Sequence, residues 1–176
     1  MRERLLLVLL LTGTAGCGLS AETATPRCTS FERLGIVAQS VPTAAYVACL
    51  RALPEGWRAT GFSVSNGRSS FTLLSDRSRG HPVAVLLTRR CDIADASVAT
   101  PRVEGVRSYV RLTSVDPLYA GDLYDVFPGG CVRYSFAFPR GPHIPLMEEL
   151  TSAVGLVARR DLRQHLRERL GVELDP

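Results

Sequence analysis

Lysine is absent from this chain: all 21 basic residues are arginine. A phosphate-cradling GxxxxGK loop is therefore excluded. Histidine is scarce, with only His81, His143 and His165. Two of these lie beside prolines, and a metal site needs several converging ligands. HExxH and GxSxG motifs are also missing. No CxxC pair offers a four-thiolate zinc site. No metal or cofactor is expected. No apolar run approaches the roughly 20 residues of a membrane-crossing helix. No internal repeat, low-complexity tract or long linker divides the chain.

What is present begins at the amino terminus. Arg2 and Arg4 precede the aliphatic run Leu5–Leu11, which gives way to Thr14-Ala15-Gly16-Cys17. A charged start, a short apolar run and small residues make a secretory leader. The last four residues resemble the lipobox of bacterial lipoproteins, with Thr14 where that family usually carries leucine. The resemblance implies a diacylglycerol on the Cys17 thiol and cleavage just before it. Residues 1–16 would be signal peptide, 17–27 a flexible tether, and 28–176 one globular domain. The protein would sit on the extracytoplasmic side of the cell membrane, held there by lipid. An ordinary secretory signal, cut nearby with Cys17 discarded, is the competing reading.

Composition suits a single domain: 45% hydrophobic, 22% charged, net charge +4. Scattered arginines fit the codon usage of a GC-rich genome. They also fit a surface for phosphates or carboxylates, which the guanidinium fork binds bidentately. Five cysteines leave one over after pairing. With Cys17 assigned to lipid, Cys28, Cys49, Cys91 and Cys131 are expected as two disulfides; three pairings are possible, and Cys28–Cys49 with Cys91–Cys131 is the one favoured, joining the domain's start to the next segment and two strand ends to each other. Each would contribute about 3–4 kcal/mol by constraining the unfolded chain.

The pattern predicts an α+β fold: about six antiparallel strands, with N-terminal and C-terminal helices packed on one face. A short helix is expected over 30–38. A second is expected from Ser40-Val41-Pro42 to Pro54, with proline in its first turn. Asn66-Gly67 marks a hairpin that sets Phe62 opposite Phe71 and Val64 opposite Ser69. Strands follow at 83–91 and 106–115. A last hairpin about a Pro128-Gly129-Gly130 loop would place Asp125 opposite Arg133, Tyr124 opposite Tyr134 and Val126 opposite Val132. From Pro145 a helix is expected to carry Leu146, Leu150, Val154 and Leu156 or Val157. Another runs from Arg159 to Leu170 and ends at Gly171.

Candidate sites are few. Asp116, Asp122 and Asp125 cluster in sequence and, with His81 or His143, would serve an envelope hydrolase. Asp92 and Asp95 flank a turn. Arg159, Arg163 and Arg167 recur every four residues, a ridge suited to an anionic surface. Trp57, Tyr109, Tyr119, Tyr124 and Tyr134 could line a pocket, although aromatics on strands are more often core, with Tyr119-Ala120-Gly121 as a loop at a pocket mouth. The leading expectation is a non-catalytic binding or interaction module. Its partner would be a protein, glycan or small ligand; the membrane would be met through the lipid, and nucleic acid not at all.

Overall fold

The Asn66-Gly67 turn forms as its residues require, with Gly67 at φ 84°. It joins β2 (Trp57–Ser65) to β3 (Arg68–Ser75), and Phe62 faces Phe71 while Val64 faces Ser69. A computed structural model describes residues 25–174; Cys17 and residues 1–16, expected as a signal peptide, lie outside them. The other elements, in chain order, are α1 (Phe31–Ser40), β1 (Tyr46–Leu50), β4 (Val83–Thr88), β5 (Ser97–Ala99), β6 (Arg107–Ser114), β7 (Leu118–Phe127), β8 (Gly130–Pro139), α2 (His143–Ala153), β9 (Val154–Ala158) and α3 (Arg159–Leu170). The fold is α+β. A seven-stranded antiparallel sheet runs β2-β3-β4-β8-β7-β6-β5, and β1 and β9 form a separate antiparallel pair.

Two expected helical stretches are strands. The segment from Ser40 to Pro54 contains β1, and the helix from Pro145 stops at Ala153, where β9 begins. Val47 to Leu50 are all buried, as are Val154 and Gly155. A short run buried on both sides has no polar face to fix its period, so helix and strand look alike in sequence. Their pairing supplies the backbone partners, Leu50 with Val154 and Tyr46 with Ala158. Both disulfides form, Cys28–Cys49 and Cys91–Cys131, with sequence separations of 21 and 40. The first pins the domain's start to β1. Thr25 to Arg27 belong to the folded part rather than the tether. Arg27 bridges Leu50, and the Leu50 N–H donates to the Pro26 carbonyl at 2.8 Å.

The β7–β8 register also differs from expectation. Pro128-Gly129 is a two-residue turn, so Phe127 pairs with Gly130, Tyr124 with Arg133 and Asp125 with Val132. Gly129 takes φ 70°, as the second central residue of a type II turn must. Because side chains alternate, a one-residue slip sends every β7 side chain to the opposite face from the one its partners would suggest. Tyr119-Ala120-Gly121 lies within β7, not in a loop.

One side of the large sheet carries Phe71, Leu73, Val83, Val85, Leu87, Leu123, Val132, Tyr134, Phe136 and Phe138. These share one core with Leu34 and Val37 of α1, Leu146 and Leu150 of α2, and Leu162 and Leu166 of α3. The segment before β1 docks on the β7–β8 turn: the Ala45 N–H donates to the Pro128 carbonyl and the Thr43 hydroxyl to that of Gly129. A Cβ on Gly129 would stand 1.8 Å from the Thr43 carbonyl oxygen. G129A therefore meets both a forbidden backbone angle and a backbone clash. Urea unfolding of G129A is expected to show a loss of about 3 kcal/mol.

Candidate functional site

The three aspartates of the sequence cluster do not converge. Asp116 is exposed and pairs with Arg140 at 3.6 Å. Asp122 and Asp125 are three apart on one strand, so they project from opposite faces of it. Among the described residues no histidine hydrogen-bonds to a carboxylate. His143 Nδ1 donates to the Arg140 carbonyl and the ring tilts over Tyr119. His165 stacks on Phe31 at 3.7 Å between ring centres. Nor do three or more His, Cys, Asp or Glu side chains gather anywhere among those residues to hold a metal ion.

The inner aspartate is structural. Asp125 is 1% exposed and accepts hydrogen bonds from the Ser108 hydroxyl at 2.7 Å and the Tyr134 hydroxyl at 2.9 Å. Arg102, from the loop before β6, pairs with the same carboxylate. It also donates to the Thr151 carbonyl at 2.7 Å, tying that loop to α2. Burial and then the Asp125 charge push the Tyr134 phenol far above its ordinary pKa, so it stays a donor. Burial works against the Arg102 charge, but Tyr134 and Asp125 outweigh it and the guanidinium stays ionised. Removing one partner of such a pair strands the other charge. D125A is expected to lower unfolding free energy by about 3–5 kcal/mol. A loss under about 1 kcal/mol in urea denaturation would place the pair with ordinary surface ion pairs.

The outer aspartate lines the candidate site. β6, β7 and β8 set Arg111 opposite Asp122, Asp122 opposite Ser135 and Tyr124 opposite Arg133, all on the face turned from the core. Asp122 accepts from the hydroxyls of Ser135, at 2.5 Å, and Tyr124, at 3.1 Å. Arg111 Nη2 donates to Asp122 at 3.3 Å and also to the Tyr124 hydroxyl. Arg133 Nε stands 4.0 Å from Asp122. The chain after β4 returns over this face because Cys91 is bonded to Cys131 of β8. Between them lies a hollow of about 240 Å³ lined by Leu86, Thr88, Arg90, Cys91, Asp92, Arg111, Tyr124 and Arg133. Sequence reasoning named Asp122 and Tyr124 but missed Arg90, Arg111 and Arg133, which are 43 residues apart at the extremes and meet only through strand order.

Partial burial raises the pKa of Asp122. The Ser135, Arg111 and Tyr124 hydrogen bonds, together with the Arg133 charge, outweigh that and leave it below the usual carboxylate range. A depressed folded-state value means the stabilisation is complete above the unfolded value, about pH 4, and is lost as pH falls through the folded one. In urea unfolding from pH 6 to about pH 2.5, D122N should start less stable than the parent and lose less below about pH 4. Parallel curves would show that Asp122 carries none of the acid sensitivity.

The arginine ridge is broken by packing. Arg159 is buried and donates to the Ala38 carbonyl at 2.8 Å. Arg163 is half-buried in a second hollow of about 410 Å³ with Tyr46, Gly105 and Pro128. Arg167 is exposed and pairs with Glu173 at 3.4 Å. Asp92 caps its own turn, accepting from the Ala94 N–H. Among the described residues no helix is long and apolar enough to cross a membrane. Comparison with protein-family models, curated proteins and solved structures finds no match for this chain.

Proposed function

We propose that this chain is a lipid-anchored envelope protein, a non-catalytic binding module held through Cys17 on the extracytoplasmic side of the cell membrane. The cysteine account carries the reading. Cys28, Cys49, Cys91 and Cys131 are used in two disulfides, which belong to an oxidising compartment. Cys17 is the one cysteine left, and it stands where the leader's small residues end. Two or more acyl chains anchor stably where one binds only marginally, since each buried CH2 contributes about 0.8 kcal/mol.

Binding is favoured over hydrolysis by the separation of Asp116, Asp122 and Asp125, because acid–base chemistry needs its groups within reach of one substrate. Helices packed on one side of the large sheet leave the other side open around Asp122, a rigid platform for a ligand. Intact-mass analysis of the protein made in its own host tests the anchor. The expected mass is that of residues 17–176 plus acyl groups, and C17S should leave the membrane fraction. An unmodified mature chain, or membrane retention of C17S, would overturn it.

A further inference from the structure

The hollow beside Asp122 holds more donors than acceptors. Three guanidinium groups, from Arg90, Arg111 and Arg133, line it with the carboxylate of Asp92, and Asp122 stands behind that wall, hydrogen-bonded to Arg111. The acceptors are partly engaged. Asp122 takes Ser135, Tyr124 and Arg111, and Asp92 takes the Ala94 N–H. Arg111 is engaged as well, its second nitrogen donating to the Ala94 carbonyl at 3.3 Å. Arg90 and Arg133 are different, for neither side chain donates a hydrogen bond to any described residue. Arg133 Nε is shielded from solvent without a hydrogen bond, but the side chain as a whole is 43% exposed.

Charge and shape narrow the acceptor. Three arginines less two aspartates leave one positive charge, which a monoanion balances. A doubly charged phosphate would face Asp92 and Asp122 with half of its charge unmatched. The volume of 240 Å³ equals about eight waters at 30 Å³ each. The wall offers Leu86 and the Tyr124 ring but also Thr88 and Asp92, so the ligand body needs hydroxyl groups as well as an apolar edge.

We propose that this hollow binds a small hydroxylated carboxylate of the sugar-acid class, its carboxylate received by Arg133 and Arg90. The assignment deepens the binding-module reading and does not depend on the lipid. Arg133 stands on a central strand and Arg90 on the disulfide-held return, so neither group needs to be ordered far on binding.

Isothermal titration of the full chain in detergent tests this with three probes: glucuronate, glucose and inorganic phosphate. Glucuronate is expected to bind with Kd about 1 mM or tighter, and glucose and phosphate at least about tenfold more weakly. R133Q and R90Q should each weaken glucuronate about tenfold, while R140Q, at the distant Asp116 pair, should leave it unchanged. R90Q alters an exposed side chain, so it stays informative if R133Q fails to fold. No heat with glucuronate at about 10 mM would overturn the proposal. So would glucose or phosphate matching glucuronate, or unchanged binding in R90Q. A missing acyl adduct at Cys17 would leave these outcomes untouched, which keeps the two readings separable.

Discussion

The Pro128-Gly129 turn fixes which way the facing side chains of β7 and β8 point. Its two residues, rather than three, set the parity of β7 against β8. Parity puts Asp125, Leu123 and Phe127 with Val132, Tyr134 and Gly130 on the core side, and Asp122 and Tyr124 with Ser135 and Arg133 on the other. Both the buried ion pair and the arginine-lined hollow follow from that choice. Thr43 and Ala45 then lock the turn from outside through its two carbonyls, so β1 cannot dock unless the parity is right. A local backbone decision thus governs the core, the open face and the attachment of the small sheet.

The two faces of β7 carry one motif twice. Inside, Asp125 accepts from a serine on β6, a tyrosine on β8 and an arginine from a loop. Outside, Asp122 accepts from a serine on β8, a tyrosine on β7 and an arginine on β6. Each arginine also rides over its tyrosine ring, at 5.1 Å for Arg102 and 5.5 Å for Arg111. The chemistry is the same and the surroundings differ. Asp125 is sealed, and its partners satisfy it completely. Asp122 is reached by solvent, and a further arginine stands by it at 4.0 Å without a hydrogen bond. Full satisfaction in a dry site favours rigidity; surplus donors in a wet hollow favour a guest.

Much of the fold was legible because local chemistry and global packing agree there. Phe62 and Phe71 share a face at the register that Asn66-Gly67 dictates, and Leu162, Leu166 and Gly171 mark α3 and its end. Of the three pairings open to Cys28, Cys49, Cys91 and Cys131, the favoured one forms. Legibility failed where burial removes the amphipathic signal. Ala44 to Leu50 and Val154 to Val157 read as helix because nothing polar interrupts them, and their pairing spans more than a hundred residues. It failed again at Asp125. An aspartate beside an arginine strand partner is the ordinary expectation, and only the distant Arg102 makes a buried one tolerable. The arginines of the hollow gave no periodic signal, since strand order alone assembles them.

The Cys91–Cys131 bond stitches the return segment bearing Arg90 and Asp92 to the sheet that bears Arg133. Half of the hollow's rim is thus conditional on sulfur chemistry, while the other half is conditional only on folding. Cutting that one bond would leave Arg90 and Asp92 tethered to the sheet only through β4 and β5, while Arg111, Tyr124 and Arg133 would keep their places in the strand ladder.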